Sequence, residues 1–413
     1  MKSEIDQLME KNEIDALLIT GPAQHNPAMF YLTGGGHITN ADLIKKKGHT
    51  PVIFHGSMER EEAAKTGLLT CSYDKFPLTP YLKKANNDQI EAHALRYHDL
   101  FLEAGVEKGK VALYGSTEIG AKFSVLNKFQ CLFPEYEITG LVPDTILLTA
   151  MMKKDSKEIE RIRKMGHITT RVVGNVFDFI SKQSLQGDIL VDENDQPITI
   201  GLIKSKINYW LAEAGAENPE QTIFAMGRDA GIPHSQGNDA DIIQSGKTIV
   251  FDIFPCEVGG GYFYDFTRTW CVGFAPDDVK HLYEQVKSVY ETVVAELEVD
   301  KPFKDYQKRT CELFEEMGHP TVLSNPTTLE GYVHSLGHGL GLHVHEMPFS
   351  GLTAKEDEKL VRGSVFTIEP GLYYPERQMG VRLEDTYYVS ESGTIEKMVD
   401  FPMDLVIPVK SVE

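Results

Sequence analysis

An α/β part over residues 1–150, followed over residues 155–413 by an α+β part with two similar halves, is the architecture this chain encodes. Short apolar runs alternating with helical patterns indicate the first part. A long capped helix near residue 155 and two helix-plus-hairpin units after residue 247 indicate the second. With 413 residues the chain has material for two or three domains and a full-sized core.

In the first part Ile5, Leu8 and Met9 share one helical face, and residues 16–19, 51–54 and 111–114 read as buried strands. The run MFYLT at 29–33 is strand-like in composition. Gly34, Gly35 and Gly36 after it read as a turn, because no GxGxxG or Walker pattern accompanies them. The texture changes over 141–157, where a loop-like LVPDT precedes Asp155-Ser156-Lys157-Glu158. That spacing predicts a capping box with Asp155 as N-cap, and a long helix buried through Ile159, Ile162, Met165, Ile168, Val172, Val176 and Ile180. A loop or hairpin over 186–197 and a helix over 198–214 follow. Residues 248–256 and 262–272 read as two strands joined through Gly259-Gly260-Gly261, and 364–373 with 380–390 form a second pair. Helices at 276–297 and 303–317 lie between, so one helix-covered sheet with pseudo-twofold symmetry is expected.

Composition narrows the function. Lys plus Arg is 41 and Asp plus Glu is 61, a net charge of −20 that repels phosphate backbones and anionic membrane surfaces, so neither nucleic acid nor membrane is expected as a partner. Cys71, Cys131, Cys256, Cys271 and Cys311 are scattered, with no CxxC pair, as in a reducing compartment. The N-terminal MKSEIDQLMEKNEID has no apolar core for a secretory signal, and no 18-residue apolar run occurs. A cytoplasmic protein is expected.

The chemistry is carried by acids in places that strands rarely tolerate. Asp252 sits in TIVFDIFP and Asp265 in YFYDFTRTW; Glu369 in VFTIEPG and Glu384 in GVRLEDTYYV repeat the pattern. A carboxylate among apolar strand residues is costly unless paired or metal-bound. A solvent-facing position accounts for any one of them, but not for four in two hairpins. His334, His338, His343 and His345 fall within YVHSLGHGLGLHVHE, and the glycines at 337, 339 and 341 suit close approach of His338 to a ligand. If the four acids and His338 converge, they repel unless some stay protonated or cations neutralise them; two divalent ions balance four carboxylates. An oxygen-rich set with one nitrogen and no thiolate suits Mn²⁺, Co²⁺, Fe²⁺ or Zn²⁺. Arg382, two residues before Glu384, shares its face and is placed to orient a carboxylate, while Thr267, two after Asp265, is placed either to hydrogen-bond one or simply to fill a strand. Cys256 and Cys271 flank the first hairpin and read as packing.

The order Asp252, Asp265, His338, Glu369, Glu384, in the contexts VFDIFP, YDFTRTW, GHGLG, IEPG and VRLED, resembles the M24 metallopeptidases of pita-bread fold, which include Xaa-Pro dipeptidase (prolidase), aminopeptidase P and methionine aminopeptidase. The likeness covers about residues 155–413, and residues 1–150 resemble the creatinase-type N-terminal domain, which tilts the resemblance toward proline-specific members. It implies two divalent ions, with manganese first, Asp252 and Asp265 holding one, His338 and Glu369 the other, and Asp265 and Glu384 bridging. It implies Glu369 as general base, His345 as a contact to the substrate, and His234 and His334 as further active-site histidines. Cleavage of the Xaa-Pro bond in dipeptides or short peptides, by a homodimer, is the implied function. His343 stands where the resemblance implies an acid. Two other readings are a creatinase-like C–N hydrolase, which works without metal and so sits badly with a full ligand set, and a non-catalytic pseudo-peptidase binding module, which would have lost ligands.

Overall fold

The structure, a computed structural model, describes residues 4–411; Met1-Lys2-Ser3 of the charged N-terminus lie outside that range. The chain divides into two compact units, one of Met1–Met151 with Gly259–Gly261 and one of Met152–Val258 with Tyr262–Glu413.

The first unit is built on a six-stranded mixed sheet in the order Leu69–Ser72, Val52–His55, Ala41–Lys46, Ala16–Gly21, Gly109–Gly115, Tyr136–Thr139. Ala16–Gly21 is buried at every residue and pairs antiparallel with Ala41–Lys46 and parallel with Gly109–Gly115. A continuous apolar run is what a strand covered on both faces requires. Helices Gln89–Glu103 and Ile119–Leu132 contribute Tyr97, Phe101, Leu126 and Phe129 to one core with Leu18, Ile44 and Val111. The run 29–33 is helical, not extended: Pro27–Thr33 is an α-helix. Asn26 caps it by accepting the Met29 N–H, Pro27 occupies the first turn, and Gly34 ends it in the left-handed region at φ 77°. Its capping residues outweigh the β-propensity of its aromatics. The three glycines that follow all have positive φ, and no turn forms over them.

In the second unit the helix Ser156–Ser181 begins at the capping box. The Asp155 Oδ1 accepts the N–H groups of Lys157 at 2.9 Å and Glu158 at 3.0 Å, and the Glu158 Oε2 accepts the Asp155 N–H at 2.8 Å. All seven stripe residues from Ile159 to Ile180 are buried. Asp155→Ala should therefore destabilise the protein by about 1 kcal/mol in a denaturant titration. Strands Ser184–Gln186 and Ile189–Val191 form a hairpin, and Thr199 caps the helix Ile200–Glu213.

The two strand pairs form, but each is interrupted. Thr248–Ile253 pairs antiparallel with Phe266–Val272, from Thr248 opposite Cys271 to Ile253 opposite Phe266. In the second pair Val365–Ile368 matches Asp385–Val389, and Gly371–Tyr374 matches Met379–Arg382. Breaks fall at Glu369-Pro370 and Leu383-Glu384, so several short ladders replace the single sheet, linked by the bridge between Thr267 and Glu384. Helices Asp277–Glu296 and Phe303–Glu316 cover them with Val286, Val289, Tyr290 and Phe314. Among the described residues no helix is long and apolar enough to cross a membrane.

Candidate metal centre

Three of the four acids sit where strands stop. Asp252 lies inside Thr248–Ile253, but Asp265 is the residue before Phe266–Val272, Glu369 follows Val365–Ile368, and Glu384 fills the gap between Met379–Arg382 and Asp385–Val389. A strand end frees a side chain from the strict alternation of a ladder, so all four reach one cavity. That cavity, about 390 Å³, is lined by Asp252, Asp265, His338, Glu369 and Glu384, and also by His234, His334, His345 and Arg382. The five expected ligands and the four expected active-site residues are therefore brought together, while Thr267 does not line the cavity. His343 does not line it.

The backbone fixes each group. The Glu384 N–H bonds to the Thr267 carbonyl at 3.1 Å, while the Thr267 hydroxyl donates to Glu384 Oε2 at 2.7 Å. The Glu369 N–H bonds to the Leu336 carbonyl at 2.8 Å. His338 faces Gly339 O with Nδ1 at 3.1 Å, which leaves Nε2 toward the acids, 3.6 Å from Asp265 Oδ2 and 3.3 Å from Glu369 Oε1. Glycines 337 and 339 serve the backbone rather than a ligand: an added Cβ would stand 2.0 Å from Thr367 O and 2.1 Å from Met347 O.

Ligand atoms of Asp265, His338 and Glu384 lie within 4.8 Å of one another. Asp265 Oδ1, Glu384 Oε1 and Asp252 Oδ1 are each buried with no hydrogen-bond partner. Burial and the neighbouring Asp252 push the Asp265 carboxyl well above its ordinary pKa, and burial with Asp265 and Glu369 does the same to Glu384. Burial alone would raise Glu369 and lower His338, but their mutual bond and charge reverse both, holding Glu369 below its usual range and lifting His338 to about 9. Three buried carboxylate oxygens without hydrogen-bond partners, in one cavity with the His338 imidazole, are a donor set that fits a divalent metal.

Arg382 does orient a carboxylate of the site, that of Asp252. Its guanidinium donates to Asp252 Oδ2 at 2.6 Å, and Glu384 is held by Thr267. Thr267→Val should weaken metal binding by about 10- to 100-fold, with Thr267→Ser near wild type, in a chelator competition. His345 sits with its ring centroid 4.3 Å from that of His338 and is pushed down to about 4 by burial and the His338 charge, so it is neutral at pH 7. The His334 Nδ1 is 4.0 Å from Glu369 Oε2.

Two groups escaped the sequence reading. The fully buried Tyr373 places its hydroxyl 2.8 Å from His334 Nε2 and 2.7 Å from Arg382. Arg268, also fully buried, donates to the carbonyls of Thr267 and Glu384 and pairs with Asp385 at 2.9 Å. A tyrosine in a strand looks like core, and gives no signal; a lone arginine, Arg268, inside the strand run FTRTWCV was the available clue.

A cavity with this donor set on this fold defines a metal-dependent hydrolase. The chain matches the model of metallopeptidase family M24 over residues 160–391 and belongs to that family. It is 26% identical over 393 residues to the Xaa-Pro dipeptidase of Pyrococcus horikoshii, covering 95% of this chain and 94% of that one. Among solved structures it shares its fold with a dipeptidase from Pyrococcus horikoshii, at TM-score 0.74 and 21% identity over 98% of this chain and 99% of that one. An X-Pro aminopeptidase from Thermotoga maritima has TM-score 0.72 and 23% identity, over 98% of this chain and 100% of that one.

Proposed function

We propose that this metallopeptidase is a dinuclear exopeptidase that hydrolyses the Xaa-Pro bond of dipeptides or short peptides. The observation that carries it is the set of unpartnered carboxylate oxygens on Asp252, Asp265 and Glu384 in one cavity with His338. Asp252 and Asp265 would hold one ion, His338 and Glu369 the other, and Asp265 and Glu384 both; Mn²⁺ is our first choice, with Co²⁺, Zn²⁺ and Fe²⁺ behind it. Bound divalent ions supply Lewis acidity and a nucleophile at neutral pH. The chain's residues do the rest. Glu369 takes the proton of the attacking water on its carboxylate and passes it to the leaving nitrogen. Neutral His345 donates a hydrogen bond to the substrate carbonyl, and Arg382 fixes Asp252. Ile223, Phe254 and Val344 give the cavity an apolar wall for a prolyl ring.

The Xaa-Pro substrate class is supported by the likeness to the Xaa-Pro dipeptidase of Pyrococcus horikoshii. Five scattered cysteines with no CxxC pair support a cytoplasmic location, and we place the enzyme there as a homodimer. A panel of Xaa-Pro dipeptides and Xaa-Pro-Yaa peptides, run with each metal, tests the function. Metal-dependent release of Xaa is expected; no cleavage of any member under any metal would reject it.

A further inference from the structure

We infer that Glu346 and Lys154 form a positioning pair that sets the turn presenting His345 to the substrate. This rests on the reading of His345 given above. Glu346 opens the strand Glu346–Phe349, directly after His345, and its side chain is 0% exposed. Its two oxygens divide the work. Oε1 accepts the N–H groups of Leu342 at 2.7 Å and His343 at 3.0 Å, closing the turn 341–346 on itself. Oε2 meets Lys154 Nζ at 2.6 Å, and that side chain is 1% exposed.

Lys154 is in turn fixed from behind. Its own N–H bonds to Gly363 O at 2.8 Å, and the next residue is the N-cap Asp155 of the long helix. The pair thus ties the histidine-bearing turn to the most strongly capped point of the unit. Gly341 completes the device: an added Cβ would stand 2.6 Å from Glu346 Oε2 and 2.8 Å from Lys154 Cε. The absence of a side chain at 341 is what leaves room for the ion pair.

Stability alone does not account for the pair, since a buried ion pair is commonly no more stabilising than apolar residues of the same volume. What apolar residues lack is the ability to hold a turn by its backbone N–H groups and by a charge at once. The turn they hold ends in His345, whose ring lies 4.3 Å from that of the metal-ligand candidate His338. A shift of about 1 Å in such a group costs on the order of a hundred-fold in turnover.

The test is a double-mutant cycle on an Xaa-Pro substrate with metal-loaded full-length protein. Glu346→Gln keeps an acceptor for the turn but faces Lys154 with an amide. It should lower kcat by about a hundred-fold, leave KM and bound metal unchanged, and add nothing in the His345→Ala background. Lys154→Met should act the same way. If Glu346→Gln does not fold, Lys154→Met/Glu346→Gln, which removes both charges, takes its place in the cycle. Turnover of Glu346→Gln within twofold of wild type, or losses that multiply with His345→Ala, would overturn the inference. Wild-type turnover of His345→Ala itself would instead remove the reading of His345, and this inference with it.

Discussion

Asp265→Ala should lose bound divalent metal and Xaa-Pro peptidase activity while keeping the circular dichroism spectrum of the wild type. Metal-ion catalysis is worth several kcal/mol, so at about 1.36 kcal/mol per decade kcat/KM should fall by roughly a thousand-fold or more. The reason lies in where Asp265 stands. It is the residue before Phe266–Val272, its Oδ2 faces His338 at 3.6 Å, and its Oδ1 has no partner. Asp252 and Glu384 do not replace it, because each has one oxygen held, by Arg382 and by Thr267, and the other already serves as a proposed ligand in its own right. The fold does not depend on it: burial and Asp252 make its ionised form unfavourable without a cation. Metal-free Asp265→Ala should therefore melt no lower than metal-free wild type, which separates a lost ligand from a lost structure. Glu369→Ala should lose turnover similarly, as the proton acceptor.

Stripping the metal should make the protein's stability fall steeply as pH rises, and restoring the metal should remove that slope. The His338 pKa is lifted from 6.5 to about 9 in the folded state. A group raised in this way stabilises the fold fully below pH 6.5, and its contribution is lost as pH climbs through about 9. Asp265 and Glu384 are also raised, so the metal-free fold binds protons that the unfolded chain has already released, and their contribution is likewise lost with rising pH. Glu369, held low, works the other way and weakens the fold only as pH falls below its ordinary range. Melting of the chelated protein should thus fall between pH 6.5 and 9. Metal requires these ligands deprotonated, so at about a hundred-fold excess over Kd it returns about 2.7 kcal/mol per site at the alkaline end. A flat melting profile for the chelated protein over that range would show that the acids are not forced together.

The parts of the site legible in the sequence were those that violate the rules of strands. Asp252, Asp265, Glu369 and Glu384 stood out because a carboxylate among Val, Ile and Phe has no local reason to be there. What the sequence did not show was that three of them occupy strand ends, since an interrupted ladder and a continuous one have the same apolar texture. The capping box at Asp155 was legible because its two hydrogen bonds lie within four residues. Pro27–Thr33 was misread because aromatic composition was weighed above the Asn-Pro start and the glycine stop. Tyr373, Arg268 and the pairing of Lys154 with Glu346 were beyond reach, the last because its partners are 192 residues apart. Such contacts are made by the tertiary fold, and no local pattern announces them.

The account stands on paired cations held by acids of separate strands with His338. Elemental analysis of the purified protein, with turnover followed through chelation and reconstitution, measures this directly. Two equivalents of divalent metal per chain, with Xaa-Pro cleavage lost and regained as they leave and return, is the predicted result. Undiminished cleavage by protein free of divalent metal would contradict it.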